Sequence, residues 1–423
     1  MVRPTIAIGK SVRKLARLRG GGSALPGLVA EKIDPKFVQR TLRQLPYGVV
    51  LVSGTNGKTT TTKMVVELLE GQGLRVFTNP TGSNFTRGVA AALLGEVDLK
   101  GRLDADIAVL ELDEAYAARF VREISPEYSL LLNVMRDQLD RFGEIDHTAS
   151  LLQVIAENTS KGVVLNREDR RIRKFVDLVR PSTKVRFFGL DESLRDYFPS
   201  DEDLHGKSQE EVNGILADGE LTAFDNAGIT FTLDGEQHLV SLCLSGAYNY
   251  FNAAAALTMV RLILGSKLDT EQLFRSLEKV TPAFGRGEVI QLGNETIELV
   301  LVKNPSGFRL ALTSFNPDEV STMIAINDRY ADGRDMSWLW DVSFETLRET
   351  GVTHVSGVRA YDMALRLYYD EVPVGQIEPD LKECLRSFLS TQKGNKRVFC
   401  SYTAMLTLRK ELSQLTNVEE IGA

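Results

Sequence analysis

The sequence predicts an α/β protein built on two sheets, and three observations predict it. Strand-like apolar runs alternate with helical periodicity from residue 45 to about 170. One of those runs, Gly48-Val49-Val50-Leu51-Val52, leads directly into SGTNGKTTTT at residues 53–62. A second alternation starts after Gly285-Arg286-Gly287. Strands that alternate with helices imply a mostly parallel sheet covered on both faces. Ligands of such sheets bind at the carboxyl ends of the strands.

Three segments follow. Residues 1–44 are basic: Arg3, Lys10, Arg13, Lys14, Arg17 and Arg19 precede the first acid, Glu31, and Gly20-Gly21-Gly22-Ser23 interrupts them. The segment lacks the apolar core of a secretory signal. It reads either as a contact with an anionic membrane surface or lipid phosphate, or as a solvated basic helix. Residues 45–285 form a central domain with strands at Val49–Val52, Val76–Thr78, Ile107–Leu112, Leu130–Val134 and Val163–Leu165. Within it, residues 185–240 are charged and poor in pattern. They read as an irregular insertion with a small hairpin around Ile229–Leu233. Residues 286–423 form a smaller Rossmann-like α/β domain with strands at Ile297–Val302, Met323–Asn327, His354–Ser356 and Arg397–Cys400.

The chain has 423 residues, 43% apolar, enough for two or three packed cores. Its net charge of −7 gives no support to nucleic-acid binding. Its three cysteines, Cys243, Cys384 and Cys400, lie far apart, without disulfide or zinc spacing. Each sits in an element-like context that reads as core. No run approaches the roughly 18 apolar residues of a membrane span. Together these features suit a cytoplasmic enzyme.

The loop Gly54-x-x-Gly57-Lys58-Thr59 carries the chemistry. A strand, a glycine-bearing loop and a helix start aim backbone N–H groups and a positive helix end at one point, which suits the phosphates of ATP. Val52 stands where the general P-loop has its first Gly, so this is a shorter form. The backbone of Gly54, Thr55, Asn56, Gly57 and Thr60 would cradle the phosphates. Lys58 would reach the β- and γ-phosphates, and the Thr59 hydroxyl would ligate Mg²⁺.

Four more polar clusters fall at element ends. Glu111-Leu112-Asp113-Glu114 follows a strand, where Glu111 would hold Mg²⁺ directly or through water. Asn79 to Asn84 follows another and offers amides and hydroxyls, with Asn84 a contact to ATP. Asn133 to Arg141 follows a third. In GAYNYFNAAAA at 246–256, Asn249 and Asn252 share a helix face and could read an adenine edge.

In this order, GTNGKTT, LELDEA, NVMRDQLDR, GAYNYFNAAAA and Gly285-Arg286-Gly287-Glu288 resemble the Mur ligase family. NPTGSNFTRG at 79–88, RDQLDRFGE at 136–144 and NDRYADGRDMSWLWDVSFE at 327–345 resemble its MurT branch, the subunit type of lipid II isoglutaminyl synthase. The resemblance implies ATP-dependent amidation of the α-carboxyl of D-glutamate in lipid II through an acyl phosphate. It implies Arg286 among the ATP contacts and a GatD-type glutaminase subunit as partner, forming a heterodimer. It also implies an acid of the C-terminal domain that assists the reaction or the partner, sought at Asp335, then Asp332 or Asp341. Trp338 and Trp340 would anchor either core or partner.

Three departures qualify the match. Gln138 stands where other Mur ligases have His, as the MurT branch has it. Residues 142–160 contain no Lys for carbamylation. The four-Cys zinc ribbon of many MurT-type proteins is replaced by 190–235, so no zinc is expected. Two other readings are an amino-acid-adding ligase resembling folylpolyglutamate synthase, and a P-loop switch.

Overall fold

The computed structural model describes residues 4–18, 24–79, 85–135, 145–198, 214–225, 228–244, 246–282, 286–314 and 320–416. Three helices open the chain: α1 (Pro4–Leu18), α2 (Ala24–Ile33) and α3 (Phe37–Leu42). The central unit then runs β1 (Gly48–Ser53), α4 (Lys58–Gly71), β2 (Val76–Thr78), α5 (Thr86–Glu96), β3 (Ile107–Glu111), α6 (Glu114–Glu123), β4 (Tyr128–Leu131) and α7 (Ile145–Asn158). It continues with β5 (Gly162–Asn166), α8 (Arg170–Arg173), β6 (Lys184–Leu190), β7 (Gly219–Asp225), β8 (Gly228–Leu233), β9 (Glu236–Val240), α9 (Ala247–Leu264) and α10 (Thr270–Leu277).

Nine strands form one sheet in the order β2-β3-β1-β4-β5-β6-β7-β8-β9. The pairs from β2 to β7 are parallel, and β7, β8 and β9 are antiparallel. β1 is buried along its whole length, as a central strand covered on both faces requires. One face packs Val50, Val52 and Val109 against Met64, Leu68 and the alanine-rich α9. The other packs Leu51, Ala108 and Leu110 against α5, α6 and α7.

Two expectations change here. Lys184–Leu190 is a sixth parallel strand, not part of an irregular insertion. Its first half is partly exposed and alternates with Lys184 and Arg186, so it lacks the continuous apolar run of a fully buried strand. The basic segment, expected to meet a membrane surface or solvent, also packs inward. Ile6, Ala30 and Phe37 are fully or almost fully buried and belong to the core over α5.

The second unit runs β10 (Arg286–Leu292), β11 (Glu295–Leu301), α11 (Pro305–Ser314), β12 (Ser321–Ala325), β13 (Val352–Ser356), α12 (Ala360–Tyr369), β14 (Val374–Glu378), α13 (Leu381–Thr391), β15 (Lys396–Cys400) and α14 (Tyr402–Leu412). Its sheet has the order β10-β11-β15-β12-β13-β14. β10 is antiparallel to β11, and the other pairs are parallel. Phe308, Trp338, Phe344 and Met363 fill one face, while Cys384, Phe388, Met405 and Leu408 fill the other. The expected two-sheet α/β architecture holds.

Candidate active site

β1 delivers its loop to the carboxyl edge of the large sheet. Gly54 and Gly57 have φ of +140° and +86°, which side-chain-bearing residues rarely adopt. A Cβ on Gly57 would also lie 2.6 Å from Asn252 Oδ1. Asn133, at the end of β4, pins the loop. Its carbonyl accepts from Thr55 N–H (2.9 Å), its Oδ1 accepts from Asn56 N–H (2.8 Å), and its Nδ2 donates to Asn56 O (3.0 Å).

α4 opens at Lys58. Lys58 is buried, donates to the carbonyls of Gly54 and Thr55, and pairs with Glu114 at 3.4 Å. Thr59 Oγ1 donates to Glu111 Oε1 at 2.9 Å. Asn79 clamps Glu111 from β2: Nδ2 donates to Glu111 O and Oδ1 accepts from Glu111 N–H, both at 2.9 Å. Burial raises the Glu114 carboxyl above its ordinary range, an effect that the Lys58 ammonium partly opposes. Thr59 and Glu111 thus present two buried hard oxygen donors in contact, a donor set that fits Mg²⁺.

The C-terminal sheet reaches the same loop. Just past β11, Lys303 Nζ donates to Thr55 O at 3.2 Å. Asn304 Nδ2 donates to Asn56 Oδ1 at 3.0 Å, and Asn56 Nδ2 lies 3.4 Å from Asn304 Oδ1. The structure therefore brings together Gly54 to Thr60, Glu111 and Asn252, and adds Glu114, Asn79, Asn133, Lys303 and Asn304. Glu114, Asn79 and Asn133 had been visible only as members of clusters. Lys303-Asn304 ends an apolar strand, the same signal that marked Glu111, but nothing in the sequence ties it to residues 55 and 56.

The other expected residues divide. Asn252 lies against Gly57, and Asn249 is almost fully buried one turn earlier, so little of its amide faces outward. Arg286 begins β10, opposite Val300, and its side chain lies outside the described residues, as do Asn84 and Gln138. Asp332 is buried and accepts from Thr403 N–H, Thr403 Oγ1 and Arg329 N–H, which ties the loop after β12 to α14. Asp335 is partly exposed and accepts from Ser337 N–H at 2.9 Å. Hydrogen bonds from Ser337 hold its carboxyl below the usual range. Asp341 ends the turn Ser337–Asp341, where Trp338 is core and Trp340 is exposed. Cys384 and Cys400 are buried, but Cys243 is exposed, which corrects its expected core placement. It sits in the loop after β9 with Sγ 3.2 Å from Glu278 O.

Comparison with known proteins gives the family and the fold. The family described as "Mur ligase middle domain" matches residues 52–260, and "MurT ligase C-terminal" matches 301–405. The chain is 30% identical to the lipid II isoglutaminyl synthase (glutamine-hydrolyzing) subunit MurT of Streptococcus pneumoniae, over 94% of each chain. It is 28% identical to the protein of that name from Staphylococcus aureus, over 97% of each. Among solved structures, the MurF ligase of Thermotoga maritima in complex with ADP superposes with a TM-score of 0.67 at 18% identity, covering 91% of this chain and 84% of that one.

Proposed function

The chain belongs to the MurT family of Mur ligases, and from that premise we propose that its phosphate loop uses ATP to activate a carboxylate of lipid II. It is a ligase subunit of the lipid II isoglutaminyl synthase type, acting by amidation in peptidoglycan synthesis. The acceptor is the α-carboxyl of D-glutamate in the stem peptide. This carboxylate attacks the γ-phosphorus, the bond to the β-phosphate oxygen breaks, and ADP leaves. Ammonia attacks the acyl carbon, phosphate departs, and a proton is lost to leave D-isoglutamine.

The observation that carries the reading is the convergence of Lys58, Thr59, Glu111 and Lys303 on one loop. Lys58 and Lys303 exchange their carbonyl partners for phosphate oxygens and offset charge that builds during transfer. Thr59 and Glu111 would hold Mg²⁺, which when bound neutralises the phosphates. Asn79 keeps Glu111 aimed, and Asn133 holds the loop open. Asn252 positions the loop beside the nucleotide.

Ammonia is mostly protonated at neutral pH, so the reaction needs a source at the site. Cys384 and Cys400 are buried, which makes them poor nucleophiles for glutamine, and the exposed Cys243 faces the Glu278 carbonyl rather than a base. A separate GatD-type glutaminase subunit supplies the nitrogen. The exposed face of α12 supports such a partner: Tyr361 (67% exposed), Leu365 and Tyr368 (74%) line it, and Tyr369 meets Trp340 at 5.4 Å between ring centroids. Exposed aromatic clusters of this kind mark protein interfaces. Asp335, in the adjoining loop, serves the reaction or the partner. The site of action is the cytoplasmic face of the membrane that carries the substrate.

The test is ADP release by the purified chain with lipid II. Activity is expected with concentrated ammonium at alkaline pH, and with glutamine only when the glutaminase subunit is added. Equal use of glutamine with and without that subunit sinks the nitrogen route. No lipid II-dependent ADP release under any condition sinks the whole reading.

A further inference from the structure

The first 44 residues hold 10 of the chain's 50 Lys and Arg but only 2 of its 57 Asp and Glu. The rest of the molecule is therefore more acidic than its net −7 suggests. This basic segment is fixed in place. A Cβ on Gly9 of α1 would lie 2.7 Å from the Leu94 side chain of α5. One on Gly27 of α2 would lie 2.0 Å from Arg87 O, in the first turn of α5. Glu31 pairs with Arg87 at 3.4 Å. The first turn of α5 lies on the carboxyl side of β2, the edge that carries Asn79 and Glu111.

Packing consumes one face of the helices and leaves another in water. Ile8 is 45% exposed, Leu25 53% and Ile33 44%. Lys14 is exposed and Lys10 partly so, and neither has a carboxylate partner among the described residues. Exposed apolar side chains on both helices, together with ammonium groups on α1 that have no carboxylate partner among the described residues, have the chemistry of a surface that lies at a membrane interface. There the apolar groups enter the headgroup boundary and the cations meet anionic lipid.

We propose that α1 and α2 form a docking surface for an anionic lipid bilayer, held rigidly against α5, with α2 on the first turn of α5 beside the edge that carries the phosphate loop. The proposal deepens the functional reading above and rests on it only for the purpose of docking, which is to meet a substrate carried in lipid.

The experiment uses the full chain with vesicles of phosphatidylcholine containing phosphatidylglycerol. Co-sedimentation is expected, and it should fall as salt rises and be weak on pure phosphatidylcholine. The double substitution Lys10→Glu with Lys14→Glu should weaken binding on the order of a hundredfold. That variant should keep its melting temperature and amidate lipid II normally in detergent, but slowly in vesicles. The proposal falls if the wild-type chain stays in solution, binds neutral vesicles equally well, or binds anionic vesicles as tightly after both substitutions. It also falls if adding the glutaminase subunit abolishes vesicle binding, because the face would then belong to that partner. Vesicle binding without any lipid II amidation in detergent would leave the docking surface standing and remove the assigned substrate.

Discussion

Lys303 and Thr55 lie 248 residues apart and are joined by a 3.2 Å hydrogen bond from ammonium to carbonyl. The bond crosses from the C-terminal sheet to the phosphate loop, and the Asn304–Asn56 amide pair lies beside it. The second sheet thus contributes side chains to the phosphate loop proposed to bind nucleotide. Lys303→Ala should lower kcat on the order of a hundredfold, as loss of one preorganised charge does. The folded state should be little affected. Wild-type turnover by a folded variant would take Lys303 out of the site.

The Thr59–Glu111 contact makes a metal prediction. Glu111→Gln keeps the shape but removes the charge, so half-maximal activity should need substantially more Mg²⁺. Thr59→Ala should act in the same direction. Lys58→Ala should cost on the order of a thousandfold in rate. A Glu111→Gln enzyme with the wild-type Mg²⁺ titration would reassign the metal.

Glu114 predicts a pH dependence of stability. Burial raises its folded-state pKa above the ordinary 4.5, with the nearby Lys58 ammonium opposing. A raised acid contributes stability that is fully present below 4.5 and is lost as pH rises through the folded value. Glu114→Gln cannot ionise. Urea unfolding of both proteins from pH 4.5 upward should therefore show wild type losing ground relative to the variant. A constant difference would mean that Glu114 titrates normally.

The thiols predict a chemical count. Burial pushes Cys384 up to about 11 and Cys400 up as well, whereas Cys243 is exposed. A thiol reagent at mildly alkaline pH should label the native chain once, quickly, and the denatured chain three times. Fast labelling of more than one thiol in the native state would contradict the buried placements.

Local chemistry was legible in the sequence, and long-range chemistry was not. Gly54, Gly57, Lys58 and Thr59 form one contiguous turn, so their spacing alone declares the loop. Glu111 was legible because it ends an apolar run. Lys303 ends another, Ile297–Val302, but its partner Thr55 is set by the docking of two sheets, which no spacing encodes. β6 was missed because half of it is solvent-facing and carries Lys184 and Arg186 at alternating positions. The burial of Ile6 and Phe37 was missed because the surrounding arginines and lysines dominate the composition there.

Lys58 bonds two carbonyls of its own loop and a buried carboxylate before any nucleotide arrives. On the proposed reading, nucleotide binding is therefore an exchange of partners, in which each new bond from Lys58 to phosphate replaces one to Gly54, Thr55 or Glu114.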